Sequence, residues 1–363
     1  MSSVWGKNIS LSVFGESHGE AIGINIDGLP PGIELDFQFI KKEMERRAPG
    51  NSSISTKRQE KDKFQILSGY FNNKTTGTPL CAIIWNKNAL SKDYILMENI
   101  MRPSHGDYTG HIRYRGCNDY RGGGHFSGRI TAALVFAGAI AKIILTKENI
   151  IIGSHILSIG DIQDENFKYL DVEEGLIKEL NNSDFPVLDH NIGMEMKDLI
   201  LKVKEEKDSI GGVVEAVVLN LPPGIGSPFF HSIESHIASL LFSIPAVKGV
   251  EFGKGFEISK MQGSQANDEM YIQKEKVKTF SNNNGGILGG ISTGMPLIFR
   301  AAFKPTPSIG KEQKTVNIKE KENTSLEITG RHDPCIVPRA VPVVESVAAI
   351  ALLELILDVK KYE

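Results

Sequence analysis

Residues 102–129, RPSHGDYTGHIRYRGCNDYRGGGHFSGR, hold five arginines, three histidines, seven glycines and only two aspartates. Arg102, Arg113, Arg115, Arg121 and Arg129 offer planar guanidinium forks that match phosphate or carboxylate. His105, His111 and His125 can carry protons near neutral pH. Gly122, Gly123 and Gly124 lack a Cβ, so the backbone can approach a ligand and aim N–H groups at an anion. Residues 130–141 contain no charge. A buried helix is therefore expected to start where this loop ends, with its positive end toward the loop. Such a stretch suits anion binding coupled to proton transfer. A solvated basic loop is the plainer reading. A third is a phosphorylated-ligand or RNA-binding module, since Tyr108, Tyr114, Tyr120 and Phe126 interleave with the arginines as on an RNA-stacking surface.

Other clusters could serve the same chemistry. Residues 15–19, GESHG, fit the G-x-S-x-G nucleophile elbow, but an elbow needs strand–turn–helix and here a second strand-like run follows at 21–26. Ser17-His18-Gly19 recurs as Ser104-His105-Gly106, with Glu16 or Asp107 beside it, so the two histidines could converge on one pocket. Arg46 and Arg47 end an expected helix, where cations complement the dipole; with Arg58 they could form a second anion clamp. Residues 281–294, SNNNGGILGGISTG, are a turn or a backbone wall against a flat ligand. Residues 304–308, KPTPS, make a stiff loop with one cation and two hydroxyls, suited to phosphate. Residues 331–335, RHDPC, set a cation, a proton carrier and a carboxylate side by side, more than an Asp-Pro helix cap requires. There is no GxGxxG, P-loop, CxxC or HExxH, so neither a dinucleotide fingerprint nor a metal site is expected.

The elements that must position these groups follow from pattern. With 363 residues the chain can bury about 75% of its unfolded surface, so it needs no staple. Net charge is -3 and the pI about 6.3, which argues against a protein built to hold nucleic acid. Three scattered cysteines point to free thiols in a reducing compartment. The N-terminus lacks a signal-peptide pattern, and the apolar run 130–145 carries Lys142 and reads as too short to span a bilayer. A cytoplasmic protein without membrane partners is expected. Residues 8–14 and 21–26 read as a β-hairpin, Asp36 as the N-cap of a helix reaching Arg47, and 81–85 as a strand. Residues 151–194 are acidic from 161 onward and read as a surface connector with one short helix near 172–180. Helices are expected at 194–207 and 232–242.

LPPGI begins at 29 and again at 221; ILGG at 287–290 echoes ILSG at 66–69, and TGMPL at 293–297 echoes TGTPL at 76–80. Arg129 and Arg339 each lead into an apolar helix. The order of these echoes implies an internal duplication. The expected fold is α+β: a layered β-α-β sandwich of two similar halves, about 1–150 and 195–363, around a pseudo-twofold, with helices between antiparallel sheets.

The whole pattern resembles chorismate synthase. FGESHG at 14–19, DGLPPG at 27–32, RRAPG at 46–50, ILSG at 66–69, RPSHGDYT at 102–109 and DYRGGGHFSGR at 119–129 carry it, followed by AVKGVEFG at 246–253, GGILGGISTG at 285–294, KPTPS at 304–308 and GRHDPC at 330–335. The resemblance implies one domain over 1–363 that turns 5-enolpyruvylshikimate 3-phosphate into chorismate by anti-1,4 elimination of phosphate. It implies reduced FMN without net redox change and a homotetramer. Some members reduce flavin themselves; this chain shows no extra domain for that, so an external flavin reductase or NAD(P)H source is expected. It assigns His18 to the reduced flavin, His105 to the substrate phosphate as an acid, and Asp333 to proton removal near flavin N5. Arg46, Arg47 and Arg129 fall to substrate. His125, Phe126, Ser127, Pro245, Ala246, Gly289, Lys304, Pro305, Thr306, Pro307, Ser308 and Arg331 fall to flavin. The chain departs from the common family pattern at His125 and Phe126, where arginine and serine are frequent, at Pro307, where a hydroxyl is frequent, and at Ser53 and Ser104.

Overall fold

Asp36 fixes the start of the first helix. Its Oδ1 accepts from the Gln38 and Phe39 N–H groups at 2.9 and 3.0 Å, while Arg46 and Arg47 close the last turn against the carbonyl end of the dipole. The computed structural model describes residues 3–49, 54, 62–87, 97–328 and 332–360. The chain divides into two compact units. One comprises Met1–Phe136, Met196–Gly211 and Pro305–Arg339; the other comprises Ala137–Glu195, Gly212–Lys304 and Ala340–Glu363.

In the first unit, strands β1 (Val4–Trp5), β2 (Ser10–Gly15) and β3 (Ala21–Asp27) precede helix α1 (Phe37–Arg47). Then come β4 (Phe64–Ser68), the small hairpin β5 (Tyr70–Phe71) and β6 (Lys74–Thr75), β7 (Leu80–Trp85) and helix α2 (Asp107–Arg113). A hairpin of β17 (Gln313–Asn317) and β18 (Glu322–Leu326) completes its strands. The main sheet is antiparallel, in the order β1-β2-β3-β7-β4. Period-two alternation builds its core: Ile22, Ile24 and Ile26 of β3 lie opposite Ile84, Ala82 and Leu80 of β7, all fully buried.

Helices α3 (Thr131–Lys147), α5 (His190–Glu205) and α8 (Val337–Val359) run on from one unit into the other. The second unit has β8 (Ile151–Ile159), β9 (Ile162–Gln163), α4 (Glu174–Leu180), β10 (Gly212–Leu219), α6 (Ile233–Leu241), β11 (Val247–Phe252) and α7 (Gly263–Ala266). Hairpins β12 (Met270–Gln273) with β13 (Lys276–Thr279) and β14 (Ile287–Leu288) with β15 (Ile291–Ser292) lead to β16 (Leu297–Phe303). Its sheet runs β9-β8-β10-β16-β11, also antiparallel. The fold is α+β, as expected.

The duplication is visible in hydrogen bonds. Gly32 N–H donates to Thr75 O at 2.8 Å, Ile33 N–H to Thr75 Oγ1 at 3.0 Å, and Thr75 Oγ1 to Pro30 O at 2.7 Å. The second LPPGI repeats the clasp: Gly224 N–H to Ser292 O at 3.0 Å, Ile225 N–H to Ser292 Oγ at 2.9 Å, Ser292 Oγ to Pro222 O at 2.6 Å. One echo shifts. Thr76 N–H donates to Gly69 O and Thr293 N–H to Gly286 O, so Gly69 answers to Gly286, and 287–290 belong to the hairpin 287–292 equivalent to β5 and β6 rather than a copy of 66–69.

Two expectations are corrected. Residues 151–159 are not connector: they form β8, almost wholly buried and paired along its length with β10, because the acidic composition begins only at Asp161. The run around 130–145 is also not too short for a membrane. Gly128–Lys147 and Val337–Val359 are 20 and 23 residues long with hydropathies of 1.8 and 2.2, enough by length and composition. Their side chains pack inside the protein instead, which accounts for their apolarity.

A row of alternating charge crosses the second sheet. His155 of β8, Glu215 of β10, Arg300 of β16 and Glu251 of β11 are successive cross-strand neighbours. His155 is fully buried, with Nε2 3.1 Å from Glu215 Oε2 and Nδ1 3.5 Å from Asp164 Oδ2. Burial opposes its charge, but the two carboxylates outweigh burial and raise its pKa above 6.5. The charged ring therefore stabilises the fold fully below about pH 6.5, and this is lost as pH rises through the folded-state value. Stability in denaturant is expected to fall from about pH 6 upward, and His155→Gln to be less stable and to flatten that slope. An unchanged slope in the variant would assign it to another group.

Candidate active site

His18 lies in the tight turn joining β2 to β3, and strand–turn–strand rules out the nucleophile elbow. Asn86 pins that turn at both ends, its Nδ2 donating to Glu16 O and Gly19 O at 2.9 Å each. The glycine loop closes on the same turn: Ser17 N–H donates to Gly124 O at 3.1 Å. Gly122 has φ +59° and a Cβ there would overlap the His18 ring and lie 3.0 Å from Ser17 Oγ. Only glycine allows this approach.

His105 precedes α2. Its Nδ1 is 3.1 Å from Pro103 O, a pure acceptor, so Nδ1 carries its proton. Nε2 is 2.8 Å from Ser308 Oγ and accepts from that hydroxyl when the ring is neutral. Two residues assigned separately, to catalysis and to flavin, are thus joined.

The arginines of the central stretch are largely spoken for. Arg102 is buried and holds Asp107 with Nε at 2.7 Å and Nη2 at 2.8 Å. Arg121 holds Asp119 in the same bidentate way, at 2.9 and 2.8 Å. Each of the two aspartates of the stretch takes one fork, which removes cations from any RNA-stacking surface that Tyr108 and Tyr114 could offer. Arg113 and Arg115 are exposed.

Arg129 leads elsewhere. Its Nη1 and the Nη2 of Arg47 each bind one oxygen of Asp62, a carboxylate with no exposed side-chain surface. Burial raises the Asp62 pKa, but the two guanidiniums outweigh burial and hold it below the usual carboxylate value. Arg129 Nε donates to Asn86 Oδ1 at 3.0 Å. On the other side Arg339 Nε donates to Arg47 O at 3.0 Å, and Arg339 Nη1 holds Asp333 Oδ2. One run of hydrogen bonds therefore links the His18 turn, Asn86, Arg129, Asp62, Arg47, Arg339 and Asp333. Arg46 stands off it, its Nη1 on Glu43 Oε1 at 2.9 Å. Arg47 Nε is buried without an acceptor among the described residues.

The flavin assignments fare unevenly. His125 spends both ring nitrogens inside the first unit, on Gly15 O at 2.8 Å and Ser3 Oγ at 2.9 Å. Phe126 packs its ring beside Gly110 and 6.1 Å from Tyr114, and Ser127 caps the turn before α3 by accepting from Arg129 N at 3.3 Å. Thr306 Oγ1 is buried without a partner among the described residues, between the exposed Pro305 and half-buried Pro307. In the second unit Ala246, next to Pro245, has φ +78°, a strained value of the kind kept at binding sites, and its carbonyl accepts from Lys304 N at 2.9 Å. Burial and Lys248 lower the Lys304 pKa. Gly289 is exposed in the β14–β15 turn. Arg331, Ser53 and Arg58 lie outside the described residues.

Asp62, Asn86 and Arg339 escaped the reading of the sequence as site residues. Arg339 was visible only as a mark of duplication. Asp62 closes a polar, basic run, and Asn86 follows the buried strand β7; a lone carboxylate or amide at such a border was the available signal.

A family model described as chorismate synthase matches residues 9–357. The chain belongs to the chorismate synthase family. It is 48% identical over 357 residues to a chorismate synthase of Dehalococcoides mccartyi (strain BAV1), covering 98% of this chain and 97% of that protein. It is 47% identical to a chorismate synthase of Methanocaldococcus jannaschii at the same coverages. A crystal structure of chorismate synthase matches with a TM-score of 0.77 and 31% identity, over 98% of this chain and 93% of that one. The family's solved fold thus extends over nearly the whole chain.

Proposed function

We infer that the protein, acting as one domain over its full length, catalyses the reaction that names its family: 5-enolpyruvylshikimate 3-phosphate loses phosphate and a ring proton to give chorismate. The observation that carries this is the hydrogen-bonded run from the His18 turn to Asp333 through Arg129, Arg47 and Arg339. A substrate with one phosphate and two carboxylates calls for guanidinium forks, and Arg47 and Arg129, with Arg46 behind them, are the forks proposed to hold it. A ring C–H bond gives up its proton, its electron pair forms a double bond as the existing one shifts along the ring, and the C–O bond breaks with its pair leaving on phosphate. His105 gives a proton to the departing phosphate, with Ser308 orienting its Nε2. Asp333 receives the ring proton, and His18 holds a proton at the edge of the flavin.

The residues present fit a flavin in part. The unpartnered Thr306 hydroxyl and the strained Ala246 suit it; His125, with both nitrogens occupied, does not. Thr306, Pro305, Pro307 and Ser308 are proposed to hold it, with Lys304, Pro245, Ala246, Gly289, Phe126, Ser127 and Arg331 carried over on resemblance. When bound there, reduced FMN would supply electron density to the elimination without net redox change. We further propose a cytoplasmic homotetramer that draws reduced flavin from an external reductase; NADPH-driven FMN reduction by the pure protein would overturn that last point. Anaerobic turnover with dithionite-reduced FMN tests the whole reading. Chorismate and phosphate in equal amounts, formed only with reduced flavin, are expected; folded, flavin-bound protein giving no product would overturn it.

A further inference from the structure

We propose that Asp62 is a positioning residue for the reaction, the single group that sets the geometry of both Arg47 and Arg129. The argument rests on the functional reading above. Asp62 touches neither His105 nor Ser308 in any hydrogen bond described; it acts through the arginines. Its two oxygens are divided, Oδ2 to Arg47 and Oδ1 to Arg129, so displacing either fork displaces the other. The side chains of Asp62, Arg47 and Arg129 are 0%, 3% and 5% exposed. Water screens the trio little, and none of the three can be replaced by solvent without leaving a charge buried and unpaired.

The backbone supports a specific role. Asp62 has φ +39°, a left-handed conformation that a non-glycine residue keeps only where the surroundings over-determine it. Here the surroundings are the two forks. Asp62 takes one terminal nitrogen from each arginine. Arg129 Nε goes to Asn86 and thereby to the His18 turn; Arg47 Nε keeps no acceptor among the described residues. Two cations against one anion leave the trio net positive. The result is a rigid, cationic pair of forks fixed before a polyanionic substrate arrives, which is how preorganisation lowers the cost of binding.

The test compares wild type with Asp62→Asn and Asp62→Glu, measuring thermal melting, substrate affinity by calorimetry, and steady-state kinetics with reduced FMN. Asn keeps the shape but presents an amide donor toward an arginine. It is expected to raise KM and the substrate Kd by about 30–150-fold, converted from the roughly 2–3 kcal/mol that a lost charged partner costs, with kcat falling less. Glu restores the charge, but its extra methylene displaces both forks, so it is expected to recover only part of the affinity and to keep KM above the wild-type value. A merely structural residue would lower the melting temperature and leave KM of the folded protein unchanged, and that outcome overturns the proposal. If the Asn variant does not fold, the Glu variant decides alone: folded with wild-type KM despite its longer reach, it overturns the proposal. Wild type that binds substrate without turnover would sink the functional reading yet leave the affinity comparison valid. Wild type that does neither sinks both.

Discussion

His105→Ala is expected to lower turnover about 10²–10⁴-fold, the range for a lost general acid, while the melting temperature moves by only a few degrees. The half-buried ring makes two hydrogen bonds, to Pro103 O and Ser308 Oγ, each worth about 1 kcal/mol net. The chemical loss is larger because phosphate leaves with growing negative charge, and only a proton or a fixed cation offsets it. Arg102 is already engaged by Asp107, so it offers no ready replacement for the lost proton donor. Ser308→Ala should give a smaller loss, since His105 keeps its ring and its bond to Pro103. Single-turnover phosphate release measures both. A wild-type rate in His105→Ala would remove this histidine from the mechanism.

Gly122→Ala should cost nearly as much activity as His18→Ala, about 10²-fold or more, although it only adds a methyl group. That methyl would overlap the His18 ring, so the imidazole must swing out of the turn or the glycine loop must lift from it. The φ of +59° adds about 1–2 kcal/mol of backbone strain. Gly175→Ala serves as the control: a Cβ there meets nothing, α4 favours alanine, and turnover should be unchanged. If Gly122→Ala binds reduced FMN and turns over like wild type, the contact between loop and histidine has no catalytic meaning. A variant damaged in melting temperature alone would say the same.

The sequence makes legible what is local. Asp36, the two LPPGI clasps, the β2–β3 hairpin and the glycine loop all declare themselves through short-range rules of capping, turn geometry and missing Cβ atoms. What pairs at a distance was hidden. Arg129 and Asp62 are far apart in the chain, and no periodicity says that one carboxylate serves two guanidiniums. His125 falls to flavin only by resemblance, and no local rule announces that its two ring nitrogens meet Ser3 Oγ and Gly15 O. The four-residue shift between 66–69 and 283–286 was masked because glycine-rich turns resemble one another in letters before they do in hydrogen bonds.

Two sheets whose four corresponding strands follow one order raise a difficulty for a chain that must fold: each of those strands has a near-equivalent place in the wrong sheet. The charged row supplies an answer. Where the second sheet sets His155, Glu215, Arg300 and Glu251 side by side, the corresponding positions of the first are Phe14, Gly23, Ile83 and Gln65. A hybrid sheet would lay Arg300 against Gly23, or Glu215 against Ile83, and shut a charge away from its partner at a cost of about 3–5 kcal/mol. Strand exchange between the repeats is thereby penalised at four adjacent positions, and the descendants of one ancestral sheet stay distinguishable to the folding chain.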